Sequence, residues 1–234
     1  MRQIILDTET TGLDPRQGHR VIEIAAVEMQ NRRLTGNHFH RYLNPDRDIE
    51  EGALQVHGIT REFLQDKPRF ADIAAEFIDF VQGAELIIHN APFDTAFLNA
   101  ELALHGMGNL QAHTGEVIDT LLMARNLHPG QRNSLDALCK RYGVDNSTRT
   151  LHGALLDCEL LAQVYLSMTR GQETLVMETP GPAGALARPD RNRQRRRPLA
   201  ATITEQDMAA HIELLKQIDK ESGGGCLWMQ EQAG

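Results

Sequence analysis

Cysteine is scarce in this sequence. Three cysteines occur among 234 residues, at Cys139, Cys158 and Cys226, and no two have the Cys-x-x-Cys spacing of a zinc or redox site. An odd number of scattered cysteines does not build a disulfide framework, and this usage is typical of proteins in a reducing compartment. The cysteine pattern therefore predicts a cytoplasmic protein without a zinc site.

Long hydrophobic runs are also absent from the sequence. No stretch of 18 apolar residues is present, and the N-terminal apolar run at 4–6 is too short for the core of a signal peptide. The composition, 41% hydrophobic and 24% charged, is ordinary for a globular protein. We therefore expect no membrane partner.

The chain has no excess of positive charge. Its formal net charge is −8, and residues 1–169 account for all of it, with 15 Lys and Arg against 23 Asp and Glu. Phosphate contacts dominate the affinity of proteins for nucleic acids, so an acidic domain is a poor binder of nucleic acid by itself. Any nucleic-acid function would need bound cations or a basic partner.

Hydrophobic periodicity predicts an α/β domain with a mixed central sheet and helices on both of its faces. The expected strands cover 2–7, 20–29, 33–43 and 86–88. The expected helices cover 70–82, 93–105, 134–142 and 154–169, with Ser134 as an N-cap and glycines closing several of them.

The composition changes at Gly171. Residues 178–198 contain four of the nine prolines and the run RPDRNRQRRRP, which predicts a disordered linker. After the linker, Met208, Ile212, Leu215 and Ile218 have helical spacing, and Trp228 is the only tryptophan. The chain is therefore divided into a domain at 1–170, a flexible linker at 171–201 and a C-terminal segment at 202–234.

Two acidic residues, Asp7 and Glu9, follow the first apolar run, in the stretch LDTET. Residues two apart in a strand point to the same face, so both carboxylates would lie side by side. Like charges at that distance raise each other's pKa and destabilise the fold unless a cation lies between them. A solvated turn is the plain alternative.

Three further polar residues stand in unusual surroundings. Asp94 lies in HNAPFD, at the start of a predicted helix, where a capping role is the alternative. His152 precedes Asp157 by five positions in LHGALLD, and on one helix their side chains would diverge by about 140°. Both can face one site only if His152 lies on the loop before the helix, where Gly153 permits a turn.

The DxE, NAPFD and HGxxxD segments, in this order, resemble the three exonuclease motifs of the DEDDh family. The segments VHGIT at 56–60, RNSLDALC at 132–139, RTLHGALLD at 149–157 and the C-terminal GGGCLW are similar to the proofreading (epsilon) subunits of bacterial DNA polymerase III. The resemblance implies a ribonuclease H-like exonuclease fold, a mixed β-sheet flanked by helices, with a largely disordered C-terminal tail.

The resemblance also implies the chemistry. Asp7, Glu9, Asp94 and Asp157 would bind two Mg²⁺ or Mn²⁺ ions, for which carboxylate oxygens are suitable ligands. His152 would be the general base that deprotonates the attacking water. The reaction would be 3′–5′ hydrolysis of a mispaired DNA end by a two-metal-ion mechanism, releasing nucleoside 5′-monophosphates.

The family's pocket for the terminal nucleotide, which also includes Asp7 and Glu9, matches polar and apolar positions of this chain. They are Thr10, Leu13, Val56, His57 and Phe93. An apolar wedge and an aromatic ring can hold an unpaired base without reading its identity. Core packing is the alternative for the three apolar residues.

Partner contacts are expected in the C-terminal part. Gln172, Leu175 and Met177 resemble the short sliding-clamp-binding motif, a peptide at 172–177. The polymerase catalytic (alpha) subunit would bind the tail through Met208, Ile212, Leu215, Ile218 and Trp228. A small theta-like subunit is a further candidate partner.

Other functions remain open at this point. One is a stand-alone DEDDh exonuclease acting on RNA or on other DNA 3′ ends, against which the long tail argues. A catalytically silent assembly subunit is another, although all five catalytic positions are intact. A third is an acidic binding module, which would make the five-residue constellation a coincidence.

Overall fold

The computed structural model describes residues 2–149, 151–170 and 205–221. Its strands are β1 (Arg2–Thr10), β2 (Val21–Gln30), β3 (Arg33–Tyr42), β4 (Glu85–Ile88) and β5 (Val117–Asp119). Its α-helices are α1 (Glu51–His57), α2 (Arg61–Leu64), α3 (Phe70–Val81), α4 (Ala91–Leu104), α5 (Thr120–Leu127), α6 (Leu135–Tyr142), α7 (Ala154–Met168) and α8 (Glu205–Glu221). Two short 3-10 helices lie at Pro15–Gln17 and Leu110–Ala112.

The strands form one mixed sheet in the order β3-β2-β1-β4-β5, which confirms the predicted fold class. Strands β1, β2 and β3 pair antiparallel, whereas β1 pairs parallel with β4, and β4 pairs parallel with β5. In the parallel pair of β1 and β4, Ile5 lies opposite Ile87. The carboxyl ends of β1 and β4 are therefore neighbours at one edge of the sheet.

Alternate residues of β1 face different helical layers. Ile4 and Leu6 belong to the cluster that contains Phe77 of α3. Ile5 belongs to the cluster on the opposite face, together with Leu161 of α7. The parity of a β1 residue therefore decides which helices its side chain meets.

A β-bulge interrupts the pairing of β1 with β2 near its end. Glu9 lies opposite Glu23, but Thr10 lies opposite Val21, so the register shifts between Glu9 and Thr10. Bulges of this kind bend the strand and re-aim the side chains that follow. The regular alternation of β1 thus ends directly after Glu9.

Several elements differ from the sequence prediction. Strand β1 continues past the predicted end at residue 7 as far as Thr10, and α4 begins at Ala91. The prediction missed α1, α2, α5 and β5. Helix α1 has only seven residues, contains Gly52, and has at its N-cap Glu50, which makes no side-chain cap hydrogen bond, so it carries few of the usual helix signals.

The predicted tail helix is present as α8, in the second of the two units into which the chain divides, Glu178–Gly234. On α8, Met208, Ile212 and Ile218 are exposed and Leu215 is buried. The linker, Gln172, Leu175, Met177 and Trp228 lie outside the described residues. No helix in the described part of the chain is long and apolar enough to cross a membrane.

Candidate active site

A cavity of about 970 Å³ opens at the carboxyl ends of β1 and β4. Its wall contains every catalytic and substrate-binding residue that the sequence predicted in the N-terminal domain. They are Asp7, Glu9, Thr10, Leu13, Val56, His57, Phe93, Asp94, His152 and Asp157. The fold therefore brings together residues that are spread over 150 positions of the sequence.

Asp7 and Glu9 lie on one face of β1, as their spacing predicted. It is the face on which Ile5 packs against α7. Burial, followed by the charges of Asp94, Glu9 and Asp157, raises the pKa of Asp7 well above its ordinary value. Burial, followed by the charges of Glu23 and Asp157, raises the pKa of Glu9 to about 8. These carboxylates thus lie close enough to oppose each other's ionisation.

Asp94 approaches from the opposite face of β1. The chain leaves β4 through Asn90, whose φ of 67° is in the left-handed region, and α4 starts at once with Asp94 in its first turn. The backbone N–H and the hydroxyl of Thr8 donate to Asp94 Oδ1 at 3.1 and 2.7 Å. Burial raises the pKa of Asp94 to about 7, although these hydrogen bonds lower it.

His152 lies on the segment before α7, as the sequence predicted, because the helix begins only at Ala154. Its backbone N–H donates to the carbonyl of Val56 at 3.1 Å. Glu9, His152 and Asp157 each place one potential ligand atom within 4.8 Å of the others. Partial burial and the charge of Arg149 lower the pKa of His152 from its ordinary value.

Glu23 is a buried carboxylate that the sequence analysis missed. It lies on β2 opposite Glu9 and contributes to the raised pKa values of Asp7 and Glu9. His40 Nε2 lies 2.7 Å from Glu23 Oε1, and the first N–H of α7, that of Ala154, donates to Oε2 at 3.2 Å. The sequence does carry a sign of this residue, because Glu23 is a charged residue inside the otherwise apolar strand VIEIAAV.

Arg149 is the second residue that the sequence analysis missed. Its Nε and Nη2 donate to Oδ1 and Oδ2 of Asp157 at 2.5 and 2.6 Å, and its Nη1 donates to Asp136 Oδ1 at 2.9 Å. The side chains of Arg149 and Asp157 are only 6% and 7% exposed. Asp157 is therefore held by a guanidinium inside the cavity wall.

The apolar wall of the cavity includes the three apolar residues predicted to contact the terminal nucleotide. Leu13 is 81% exposed and Val56 is 43% exposed, so neither is a core residue. Phe93 is half-buried, and its ring lies 5.0 Å from that of Phe97 between centroids. Leu13 and Val56 are therefore not core residues, whereas Phe93 packs against Phe97 in the core on one side of its ring.

The polar residues predicted to contact the terminal nucleotide, Thr10 and His57, make hydrogen bonds within the protein. The Thr10 hydroxyl donates to the carbonyl of Gly12 at 2.7 Å. His57 is buried, and its Nδ1 accepts the N–H of Ile59 at 3.0 Å. His57 Nε2 is buried without a hydrogen-bond partner among the described residues, which is unusual for a buried polar atom.

The donor set of the cavity fits a divalent cation. Its ligand candidates are the carboxylate oxygens of Asp7, Glu9, Asp94 and Asp157, which are hard donors of the kind that magnesium and manganese bind. Burial is the largest cause of the raised pKa values of Asp7, Glu9 and Asp94, and the charges of neighbouring carboxylates add to it; a bound cation would favour the ionised form of all three. Among the described residues, none that lines the cavity carries sulfur.

Comparison with known proteins places the chain among nucleases. A family model described as exonuclease, RNase T type, matches residues 4–165. The chain is 50% identical to the DNA polymerase III subunit epsilon of Escherichia coli K12, over 97% of both chains. It is 49% identical to the same subunit of Pasteurella multocida, over 99% of this chain and 95% of that protein.

A solved structure shares the fold of the N-terminal part. Exonuclease X in complex with 5′ overhanging duplex DNA aligns with a TM-score of 0.58 and 30% identity, covering 73% of this chain and 92% of the other. The sequence match, the length of the shared region and the common fold agree. The chain belongs to the exonuclease family and, within it, to the epsilon subunits of DNA polymerase III.

Proposed function

We propose that this chain hydrolyses DNA from the 3′ end, releasing nucleoside 5′-monophosphates, and that it proofreads for a replicative DNA polymerase. The observation that carries the proposal is the convergence of Asp7, Glu9, Asp94, Asp157 and His152 on one cavity with an exposed apolar wall. This wall suits an unpaired terminal base of any identity, because stacking does not read hydrogen-bonding edges.

Each part of the cavity then has a role. Leu13, Val56 and Phe93 hold the terminal base, and Thr10 and His57 line the space for its sugar and phosphate. The imidazole of His152 accepts a proton from the attacking water, a suitable task for a group with a pKa below its ordinary ~6.5. The exposed position of His152 allows the proton to pass to solvent.

The carboxylates would hold two divalent cations, Mg²⁺ or Mn²⁺. Asp7, Glu9 and Asp157 would bind one, and Asp7 with Asp94 would bind the other. When bound, such cations stabilise negative charge on the attacking and leaving oxygens of an in-line phosphodiester displacement. They would also offset the acidic character of the domain near the DNA backbone.

The C-terminal part would link the exonuclease to its polymerase. The exposed side chains of Met208, Ile212 and Ile218 support docking of α8 on the catalytic (alpha) subunit. Residues 172–177 would bind the sliding clamp as an extended peptide, and a theta-like subunit would bind the exonuclease domain. A tether of this kind raises the effective concentration of the nuclease at the primer end.

The first prediction concerns the carboxylate cluster. Asp7→Asn should lower single-turnover hydrolysis of a 5′-labelled primer with a mispaired 3′ end by more than about 100-fold, because a metal ligand is lost. The Tm in chelator should stay level or rise, since one of several repelling charges is removed. Asp79→Asn, on the exposed side of α3, is the control.

Cleavage by Asp7→Asn at the wild-type rate in Mg²⁺ would contradict the metal assignment. The same assay with an RNA primer distinguishes the DNA exonuclease from a nuclease of RNA ends, and chromatography of the products identifies the 5′-monophosphate.

The second prediction concerns the general base. The single-turnover rate should fall on the acidic side with a midpoint below about pH 6.5, because the pKa of His152 is lowered. His152→Ala should remove this limb of the pH profile at a much lower rate. His38→Ala, an exposed histidine on β3, should keep it. If excess Mn²⁺ restores His152→Ala while the limb persists, His152 is a ligand rather than a base.

The third prediction concerns the stability of the metal-free protein. The pKa values of Glu9 and Asp94 rise from 4.5 and 3.8 to about 8 and about 7 on folding. The folded state therefore holds protons that the unfolded chain has lost, and stability falls as the pH rises through this window. In chelator, Tm should be lower at pH 8.5 than at pH 5.5, and Glu9→Gln should reduce the difference.

Addition of Mn²⁺ at pH 8.5 should recover the lost stability, because bound cations replace the protons. A Tm in chelator that rises between pH 5.5 and 8.5 would contradict the raised pKa values of Glu9 and Asp94 in the folded chain.

The fourth prediction concerns the tail. Introducing Asp at both Ile212 and Ile218 should abolish copurification with the polymerase catalytic chain, because charges replace the apolar docking side chains. Hydrolysis of short single-stranded DNA should be unchanged. The control introduces Asp at Ala210 and Gln217, which are exposed and lie roughly opposite the middle of the apolar stripe of Met208, Ile212, Leu215 and Ile218 on an ideal helix. Stoichiometric copurification of the first variant would assign docking to another part of the chain.

A further inference from the structure

Arg149 is a cation built into the wall of the cavity. It lies outside the set of residues that the proposed function uses, yet its guanidinium makes three hydrogen bonds to two carboxylates of that wall, Asp157 and Asp136. Its side chain is almost fully buried. Because its guanidinium is buried and bound by two carboxylates, Arg149 has a fixed position, unlike an arginine on the protein surface.

The contact with Asp157 fixes the plane of that carboxylate. Nε and Nη2 donate to different oxygens at 2.5 and 2.6 Å, which is the two-bond fork that arginine makes with carboxylates. Each carboxylate oxygen has about two lone-pair sites, so this fork leaves one acceptor site on each oxygen. The oxygen of Asp157 that lies near Glu9 and His152 can therefore bind a cation without losing Arg149.

The contact with Asp136 fixes Arg149 itself. Nη1 donates to Asp136 Oδ1 at 2.9 Å, so the guanidinium bridges α6 and α7. Arg149 and His152 are three positions apart, and both precede α7. Arg149 is held by Asp136 and Asp157, and the backbone N–H of His152 is held by the carbonyl of Val56.

We propose that Arg149 is a positioning residue for the hydrolysis. It holds the carboxylate of Asp157 in the orientation that binds the cation, and it anchors the segment that carries His152. The inference rests on the proposed function, because Asp157 and His152 have their roles only there. An arginine that merely plugged the metal site would instead have to leave before a cation could bind.

Titration of the full chain with Mn²⁺ alone, followed by calorimetry, separates these two roles. Arg149→Met should bind Mn²⁺ about 10–100-fold more weakly than wild type, the usual cost of losing the partner of a metal ligand. A plug would give the opposite result, since its removal would free Asp157. Mn²⁺ binding by Arg149→Met that equals or exceeds wild type overturns the proposal.

Arg20 provides a matched control. It makes the same two-bond fork, with Glu101, at 2.8 and 2.6 Å, and it lies outside the cavity. Arg20→Met and Arg149→Met should both lower Tm in chelator, because each leaves a buried carboxylate without the arginine that balances its charge. Only Arg149→Met should weaken Mn²⁺ binding. Equal weakening in both variants would assign the effect to general destabilisation and overturn the proposal.

Two more variants complete the test. Arg149→Lys keeps the charge but loses the fork, so it should recover Tm without recovering Mn²⁺ affinity; full recovery of affinity overturns the positioning role. Asp157→Asn should also lose Mn²⁺ affinity. If Asp157→Asn binds Mn²⁺ as wild type does, the metal assignment of the proposed function fails, whereas normal binding by Arg149→Met alone leaves that function intact.

Discussion

The carboxylates of Asp7, Glu9, Asp94 and Asp157 repel one another, and the structure around them compensates for that repulsion unequally. Asp94 receives two hydrogen bonds from Thr8, and Asp157 receives two from Arg149. In the described part of the chain, no hydrogen bond reaches the side chains of Asp7 or Glu9. These two carboxylates therefore depend most on a bound cation, and they lie on the strand that forms the centre of the sheet.

The proposed catalytic residues are divided between rigid elements of the fold and a less constrained segment. Asp7 and Glu9 are on a central strand, and Asp94 and Asp157 are in the first turns of helices that pack on opposite faces of the sheet. His152 is the exception, because it lies in the segment before α7 and is exposed. Ligands need fixed positions, whereas a proton acceptor gains from contact with water, so this division suits the chemistry.

Much of this arrangement could be predicted from the sequence. Strand parity correctly placed Asp7 and Glu9 on one face, and the helical angle between His152 and Asp157 correctly placed His152 before the helix. Gly153, which the sequence suggested as permitting a turn, has a φ of −153°, extended backbone that any residue adopts, so the structure does not use its glycine freedom there. The exposure of Leu13 needed the structure, since an isolated leucine in a turn carries no sign of its environment.

The missed residues have a common physical reason. Arg149 contacts Asp157, which is eight residues further along the chain, and Glu23 on β2 contacts the backbone of Ala154 at the start of α7. Helical or strand periodicity in the sequence reveals neither contact. Short elements such as α1 and β5 form because neighbouring elements pair or pack with them, and seven- or three-residue segments carry too little pattern to show this in advance.

The bulge after Glu9 has a consequence for how length variation in this chain is tolerated. Before the bulge, β1 pairs with β2 along its length and with β4 at residues 3–5, so one residue inserted ahead of Asp7 would turn Asp7 and Glu9 away from α7 and towards α4. After the bulge, the chain enters the surface turn that contains the 3-10 helix Pro15–Gln17. Insertions there would reshape only the rim around Leu13. Thr10 and Thr11, directly after the bulge, are still buried and hydrogen-bonded, so the length of the chain becomes variable only from the exposed Leu13 onwards.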